Sequence, residues 1–344
     1  MKIQTNELLK ILEAVKPGLA SKEKLTQSDS FVFKNKQVIT FNDSIRVTHP
    51  LKQLDFEGAV KSVELYKILS KIKQEEIELL LNETETTLVL KAGRVKASLV
   101  IEAHIKLPFD DIGKIGEWKN IPETFNEYLQ FVIPCAAKHA NNIAGWVHVD
   151  KSGYIEALNG EAVARCKFDR SLPFPSFLLK ATDGSEVIRL TPVQISVNTN
   201  WVHFKTKNDV IISCRAFGEG VERFPATNHL FDTEEGLSVT FPKNLNTVLE
   251  RAAVFSKRDY FADETIEVSL SKNRCRVVAR SETGSLFEEE ANIKYDDERI
   301  VFNICPTALQ FILSETQMCT ICERKLHFSS DLWAYVAAVK GEIK

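Results

Sequence analysis

The feature of this sequence that most constrains its fold is an order of predicted elements that occurs three times: helix, strands, second helix, second set of strands. The first helices begin near residues 5, 122 and 242, and the second helices near 62, 174 and 306. Solenoid repeats have periods of about 20–50 residues, so these much longer spacings indicate repeated domains. The links IKLPFDDIGKIGEWKN and ERFPATNHLFDTEEG carry the Pro, Gly and charge typical of boundaries. We therefore predict an α+β protein with domains at 1–115, 116–232 and 233–344.

Each predicted first helix has one apolar face. TNELLKILEAVKPG starts at Thr5 as a plausible N-cap and stops at Pro17-Gly18, and the corresponding helices lie in PETFNEYLQFVIPCAAKHA and PKNLNTVLERAAVFSKR. The second helices are predicted in GAVKSVELYKILSKIK, PFPSFLLKA and PTALQFILSE. The segment that follows PFPSFLLKA, beginning EVIRL, is predicted to form strands.

Basic residues recur opposite these apolar faces. On one helix, lysines away from an apolar stripe indicate only a solvated surface. Their recurrence in several repeats favours a shared cationic surface, although PTALQFILSE carries no basic residue. The candidates are Lys10, Lys67, Lys71, Lys138, Arg251 and Arg258.

The composition is that of a globular protein: 344 residues, 44% hydrophobic and 26% charged, with a net charge of -3. No run of 18 apolar residues predicts a membrane span, and MKIQTNELLK lacks the apolar stretch of a secretory signal. Seven cysteines, several in apolar strand-like runs, indicate buried thiols in a reducing compartment. We expect a cytoplasmic protein.

Motifs for catalysis or metal binding are weak. Cys319-x-x-Cys322 has no second pair at zinc spacing, and FGEGVERF lacks the third glycine of a dinucleotide loop. Asp110-Asp111 and Asp296-Asp297-Glu298 lie in polar turn-like stretches and are interpreted as solvated. There is no His-Glu-x-x-His motif, nucleophile elbow or P-loop. We predict no catalytic residue, metal or cofactor.

Several segments resemble the bacterial β sliding clamp of DNA polymerase III, in order and across the whole chain. They include the strand-to-helix entry AVKSVELYKILSKI, the closing strands KAGRVKASLVIEAHIKLPF and the turn in YIEALNGEAVARCKF. Further along come GEGVERFP, ETGSLFEEEANIKYDDERIVFN and the terminal strand YVAAV. Their colinearity with the threefold repeat makes the resemblance specific.

The resemblance implies three DNA-clamp domains, each with two helices packed on antiparallel sheets, and a head-to-tail homodimer that closes a ring. Duplex DNA would pass through the hole without sequence-specific contacts, and the basic residues above would face it. A DNA polymerase and a clamp loader would dock through short peptide motifs. The protein would be a non-catalytic processivity factor associated with the nucleoid.

The resemblance also places a partner-peptide pocket between the second and third domains. Two departures fall there: Glu161 and Ala162 replace a usual histidine and arginine, and Ala338-Val339-Lys340 replaces a Met-Pro-Met ending. We expect Glu161 on the lip of a widened groove to favour neutral or basic peptides over acidic ones, and a divergent phage or mobile-element clamp fits these changes. The pocket positions are Ile143, Leu158, Gly160, Ala162, Val163, Pro225, His229, Leu230, Val336, Ala338 and Val339.

For the dimer interface, the resemblance matches Ala97 and Leu99 on a strand to Val254 and Phe255 on a helix. The phase of that helix supports the assignment, because Val254 lies opposite the apolar position Leu245.

Two other classes of protein stay open. One is an enzyme of three α+β domains, for which the sequence offers no convergent catalytic groups. The other is a clamp-like scaffold that binds proteins and does not encircle DNA.

Overall fold

The computed structural model describes residues 1–137, 142–232, 235–259, 263–341 and 343. Within them the chain forms six α-helices and three antiparallel sheets, which confirms the predicted α+β class. The helices are α1 (Thr5–Val15), α2 (Ser62–Leu69), α3 (Phe125–Val132), α4 (Ala181–Leu190), α5 (Leu245–Ser256) and α6 (Pro306–Leu313).

The chain divides into two compact units, residues 1–126 with 173–219 and residues 127–172 with 220–344. The boundaries of the three predicted domains, after residues 115 and 232, stay predictions.

The first unit contains one long antiparallel sheet. Its order is β1-β6-β7-β8-β5-β2-β3-β4-β16-β15-β14-β9. The strands are β1 (Lys2–Gln4), β2 (Ser30–Lys34), β3 (Gln37–Phe41), β4 (Ile45–Pro50), β5 (Gly58–Lys61), β6 (Glu76–Leu81), β7 (Thr87–Ala92), β8 (Val95–Glu102), β9 (Lys119–Asn120), β14 (Gln194–Val197), β15 (Trp201–Lys205) and β16 (Ile211–Arg215), and a further strand, β13 (Phe177–Lys180), precedes α4.

The second unit contains two sheets, of orders β10-β11-β12-β24-β23-β22-β17 and β20-β19-β18-β21. Helix α5 packs on α6 and on the smaller sheet. The strands are β10 (Trp146–Asp150), β11 (Tyr154–Leu158), β12 (Ala162–Lys167), β17 (Leu237–Thr240), β18 (Ile266–Ser271), β19 (Arg274–Arg280), β20 (Leu286–Asn292), β21 (Ile300–Ile304), β22 (Met318–Ile321), β23 (Lys325–Ser329) and β24 (Trp333–Ala338).

The two larger sheets repeat one arrangement. In the first unit the order β2-β3-β4-β16-β15-β14-β9 matches β10-β11-β12-β24-β23-β22-β17 in the second, strand for strand. In both, the last strand of one repeat's meander pairs with the last strand of the next repeat, as β4 with β16 and β12 with β24. The repeat predicted from the sequence is therefore also a repeat of strand pairing.

The predicted apolar helix faces form the cores. The predicted inward positions of the first helices are all buried: Leu8, Ile11, Leu12, Val15, Phe125, Tyr128, Leu129, Val132, Ala136, Leu245, Val248, Leu249 and Ala252. Burial of such stripes against sheets is the main favourable term for folding.

The predicted second helix of the middle repeat is wrong. Residues of PFPSFLLKA form strand β13, and the helix follows in ATDGSEVIRL as α4. Pro173 and Pro175 disfavour a helix there, because proline restricts both its own φ and the residue before it. The run Phe177–Leu179 is fully buried, which suits a strand with both faces covered.

The ends of α1 and α2 are among those that differ from prediction. Thr5 is the first helical residue rather than the N-cap, and its Oγ1 donates to the carbonyl of Gln74 at 2.6 Å. Helix α2 ends at Leu69, so Lys71 and Ile72 lie in the turn that follows. Only Lys67 of the two predicted lysines is on the helix. None of the described helices is long and apolar enough to cross a bilayer.

Candidate functional site

The turn between β11 and β12 sets one edge of the candidate site. Oδ1 of Asn159 accepts hydrogen bonds from the backbone N–H groups of Glu161 and Ala162, each at 2.9 Å. Gly160 has φ of 87°, a left-handed conformation that glycine adopts without a Cβ clash. An asparagine followed by glycine supplies both features, so the local sequence determines this turn.

Strands β12 and β24 form an apolar floor beside the turn. Val163 lies directly opposite Val336 in the antiparallel register, and the N–H of Ala338 donates to the carbonyl of Glu161 at 2.7 Å. The side chains here are small, and Ala162, Val163 and Val336 are buried.

The facing wall is the segment 225–230, which is held by Arg165. Its guanidinium lies between the rings of Tyr154 and Phe231, at 4.4 Å from each ring centroid. It donates to Thr227 Oγ1 at 2.6 Å and to Asn228 Oδ1 at 2.8 Å. Arg165 therefore fixes the wall through cation–π contacts and directed hydrogen bonds together.

A buried carboxylate, Glu156, balances that guanidinium. Its Oε2 accepts from Arg165 at 2.7 Å and 3.0 Å and from the Thr227 hydroxyl at 2.6 Å, while Oε1 lies 3.0 Å from Nδ1 of His148. Burial works against ionisation of Glu156, but the hydrogen bonds from His148 and Thr227 and the charge of Arg165 outweigh it and lower its pKa. The wall thus depends on an ionised glutamate.

Together the floor, turn and wall enclose a cavity of about 720 Å³ within the second unit. It brings together nine of the eleven predicted pocket residues; Ile143 and Val339 are not in its lining. The lining also includes residues that the prediction omitted: Glu161, Ala226, Thr227, Glu323, Arg324 and Lys325.

Glu161 does not lie on the lip of this cavity, as expected from the sequence, but is buried at 5% exposure. Its Oε1 accepts from Nζ of Lys340 at 2.9 Å. Lys325 is also buried and donates to the carbonyls of Leu230 and Asp232 at 3.2 Å and 3.0 Å. The expected repulsion of acidic peptides by an exposed carboxylate therefore has no basis in this geometry.

The equivalent turn in the first unit is flanked by larger side chains. Its turn has the same design, with Oδ1 of Asn42 accepting from the N–H groups of Ser44 and Ile45 at 3.1 Å and 2.8 Å. Where the second unit has Val163, the first has Arg46, whose guanidinium lies 5.0 Å from the ring centroid of Phe109. Phe109 belongs to the linker after the first repeat and packs against that unit's core.

The predicted cationic residues have different environments. Lys10, Lys67 and Lys71 are exposed on the first unit. Arg251 on α5 donates to Glu289 at 2.8 Å and 2.5 Å, and Arg258 donates to backbone carbonyls, including Arg280 at 2.7 Å. The remaining candidate, Lys138, lies outside the described residues. Whether these side chains share one surface stays a prediction.

The sequence reading missed a further cation near α1. Nζ of Lys16 lies 2.7 Å from Oε1 of Glu13 and 3.4 Å from the ring centroid of Tyr66 on α2. The Tyr66 hydroxyl is also hydrogen-bonded to Glu13. Lys16 directly precedes the predicted stop at Pro17-Gly18 and lies one residue beyond the end of α1 at Val15.

Among the strands with an edge that no other strand pairs in the described structure are β8 and β20. Strand β8 pairs with β7 along Val95–Val100 and with β5 only at Ile101 and Glu102. Strand β20 is the end strand of its sheet and pairs only with β19. Open edges of this kind are templates for pairing with another chain.

The four predicted interface residues lie near these edges, but not all face outward. Leu99 is buried in its own unit at 8% exposure, and Ala97 on the same face of β8 is half-buried. Val254 is 71% exposed, as its helical phase predicted. Phe255 stacks on Phe287 of β20 with ring centroids 5.6 Å apart. The structure adds an exposed residue on β8, Val100, at 70%.

Comparison with solved structures covers the whole chain. The chain aligns over 99% of its length with 99% of a sliding clamp (DNA polymerase III subunit beta) from Pseudomonas aeruginosa, solved bound to griselimycin, with a TM-score of 0.81 and 16% identity. The chain has the sliding-clamp fold. The beta subunits of Caulobacter crescentus and Thermotoga maritima also match over 99% of both chains, with TM-scores of 0.82 and 0.81 and identities of 14% and 18%.

At the level of sequence, no protein-family model matches the chain, and no curated protein is similar to it. The sliding-clamp fold therefore confirms the architecture implied by the short resembling segments. The fold is shared although fewer than one residue in five is identical to these solved clamps.

The Glu156 network predicts a pH-dependent wall. We expect Glu156→Gln to lower the free energy of unfolding by about 3 kcal/mol at pH 7, because the Arg165 charge loses its buried partner. A carboxylate with a lowered native pKa contributes stability above its unfolded pKa and loses it as pH falls toward the native value. The urea concentration at the unfolding midpoint of the wild type should therefore fall steeply below about pH 5. The midpoint of the variant should fall less.

Glu323→Gln is the matched control, since Glu323 lines the same cavity but is exposed. It should leave the urea midpoint nearly unchanged at every pH. A Glu156→Gln protein with the wild-type pH dependence would contradict this account of the wall.

Proposed function

We propose that this chain is a DNA sliding clamp, a non-catalytic processivity factor that encircles duplex DNA as a head-to-tail homodimeric ring. The observation that carries the proposal is the likeness of the whole chain to solved sliding clamps, with 99% coverage on both sides. A likeness of one domain would leave the function open. Three clamp repeats in one chain would instead form half of a ring that a second copy completes.

The open strand edges support closure by a second copy. Val100 is exposed on β8, and exposed Leu286 lies on β20. Glu288 and Glu290 on the exposed face of β20 already pair with Arg276 and Arg274 of β19, so this joint is supported by the unpaired backbone and the exposed apolar residues. Pairing β8 of one copy with β20 of the next would satisfy both edges. Two such joints, related by a twofold axis, close a dimer.

Exposed lysines of the first unit support a contact with duplex DNA. Lys10, Lys67 and Lys71 are exposed and would attract phosphates without reading bases, as a sliding contact requires. The cytoplasmic nucleoid is where such a ring would act.

The cavity of the second unit supports a docking site for a DNA polymerase and a clamp loader. Its floor is apolar, its wall is fixed by Arg165, and its volume suits a few side chains of a short peptide. We favour this cavity over the equivalent place in the first unit, because there the larger Arg46 replaces Val163 and lies against Phe109.

One observation favours a second function, a clamp-like scaffold that binds proteins without encircling DNA. Arg251 is already paired with Glu289, and Arg258 is bound to backbone carbonyls, so two predicted phosphate contacts are engaged within the chain. A scaffold would keep the cavity but would not be trapped on circular DNA.

Trapping on a closed circle tests the first function. The protein is diluted to dissociate its dimer, mixed with nicked circular DNA, concentrated to re-form the ring and washed in high salt, which screens direct phosphate contacts. We expect the clamp to co-elute with the circle and to be lost once a restriction enzyme linearises it. If the protein is lost from circular and linear DNA equally in this high-salt wash, the scaffold function is favoured.

If these strand edges form the dimer interface, a charge placed there should prevent the ring from closing. Val100→Glu should place a charge at an apolar, desolvated joint and give a folded monomer by analytical ultracentrifugation. Val63→Glu is the matched control, because Val63 is an equally apolar exposed residue, at 58%, on α2. Val254→Glu should act like Val100→Glu. A dimer unaffected by Val100→Glu would remove β8 from the interface.

A further inference from the structure

A second cavity, of about 830 Å³, lies within the first unit. Its lining includes Ala14 of α1, Arg189 of α4, His49 on β4 and Lys207 in the turn from β15 to β16, and we call it the α1–α4 cavity. The turn at Asn42 precedes β4, whereas His49 lies near the other end of that strand. The α1–α4 cavity is therefore separate from the place in this unit that corresponds to the peptide cavity.

Val210, which lines the α1–α4 cavity, takes the place of an aromatic residue of the second unit. Ser213 on β16 and Val336 on β24 pair with equivalent positions of β4 and β12. Three residues before them stand Val210 and Trp333. Where the second unit has an indole ring, the first unit therefore has a smaller valine beside a cavity.

Ala14 likewise takes the place of an aromatic residue. The buried positions of α1 and α3 have the same spacing, and Ala14 and Phe131 each directly precede the last of them, Val15 and Val132. In the second unit Phe131 packs against Trp333, with ring centroids 5.2 Å apart. Because both rings are replaced by small side chains in the first unit, the α1–α4 cavity has room for a flat aromatic group.

The charged residues of the lining favour an anion. Lys207 is exposed and has no ion pair or hydrogen bond within the described ranges of the chain. Arg189 is held by Glu186, whose Oε2 lies 3.1 Å from Nη2, so the other N–H groups of the guanidinium are not used by this pair. Glu123 also lines the cavity. Two basic side chains beside one acid suit a group of low negative charge, such as a monophosphate.

The lining also offers a flat ring and neutral amides. Nδ1 of His49 donates to the carbonyl of Pro50 at 2.7 Å, which fixes the ring. Burial lowers the pKa of His49, so the imidazole is neutral at neutral pH. Asn120 and Asn208 line the same cavity. Imidazole rings stack on nucleobases, and side-chain amides hydrogen-bond to the edges of bases.

We propose that the α1–α4 cavity binds a nucleoside monophosphate, with its base in the space of the missing rings and its phosphate at Lys207 and Arg189. A phosphate alone would leave the apolar space empty, and an uncharged aromatic group would leave Lys207 without an anion. The nucleotide is either free or an unpaired residue of a single strand, since both present the same base and phosphate. This site goes beyond the proposed clamp function and requires neither the dimer nor the peptide cavity.

Isothermal titration calorimetry of the full chain tests the proposal with dAMP, dGMP, dCMP and dTMP, so that the base need not be known beforehand. We expect at least one of them to bind about tenfold more tightly than its own nucleoside and than deoxyribose 5-phosphate, because each fragment lacks half of the contacts. If no nucleotide exceeds both fragments, the proposal is overturned. Binding of the peptide acetyl-Glu-Trp-Glu-amide in place of every nucleotide would also overturn it.

Two variants locate the site. Ala14→Phe with Val210→Trp introduces the rings of the second unit and should abolish nucleotide binding. Lys207→Met should weaken the nucleotide about tenfold and leave the nucleoside unchanged. Lys73→Met is the matched control, since Lys73 is an exposed lysine of the same unit outside the lining.

Unchanged binding by the double variant, or equal effects of Lys207→Met and Lys73→Met, would overturn the assignment. Because Lys207 is exposed, its variant decides the test even if the double variant does not fold.

Displacement of a fluorescent analogue of the bound nucleotide distinguishes the two sources. The competitors are the mononucleotide and a 5′-phosphorylated single-stranded tetranucleotide of the same base. If the tetranucleotide displaces the analogue at lower concentration, the site takes an unpaired residue of a strand. If the mononucleotide does so, the site takes the free nucleotide. Displacement by neither would overturn the site.

Discussion

The pairing of strands from neighbouring repeats is the interaction on which the rest of this structure depends. Strand β4 pairs with β16 and β12 pairs with β24, in the same register relative to an asparagine-stabilised turn. Each pairing continues a sheet from one repeat into the next, so its hydrogen bonds and side-chain rows are shared. The groove beside each turn is a consequence of that pairing.

The two grooves differ because a few side chains at equivalent positions differ. The first unit has Arg46 opposite Ser213, and Phe109 lies against the Arg46 guanidinium. The second has Val163 opposite Val336, and its linker is held away from the floor by Arg165 and Glu156. A cavity persists there because small side chains cannot fill the space and a buried ion pair keeps the wall from collapsing into it. The same backbone arrangement thus supports a packed contact in the first unit and a cavity in the second.

Much of the architecture was predictable because its signals are local. Helical periodicity at Leu8, Leu12 and Val15 and the Asn-Gly turn at Asn159 each act within a few residues. Helix α4 was missed because its polar first turn, which includes Gly184, has little apolar periodicity, whereas the preceding FLL run does. Propensity read along one segment cannot show which apolar run becomes a buried strand.

The candidate site was less predictable, because its chemistry depends on distant partners. Most of its lining followed from the resemblance to sliding clamps, yet the burial of Glu161 depends on Lys340, which lies 179 residues along the chain. The pairing of Arg251 with Glu289 likewise joins a helix to a strand 38 residues away. Charge patterns along one helix identify candidate phosphate contacts but not the acids that face them.

Hydrogen exchange at the open edges tests most directly whether these sheets continue into a second copy. In β8 from Lys96 to Val100 and in β20 from Leu286 to Asn292, alternate amides point away from the partner strand. The account predicts that these amides exchange rapidly in dilute protein and become protected as the dimer forms, while amides facing β7 and β19 are protected throughout. A dimer in which the outward amides of both strands still exchange rapidly would contradict closure through these edges.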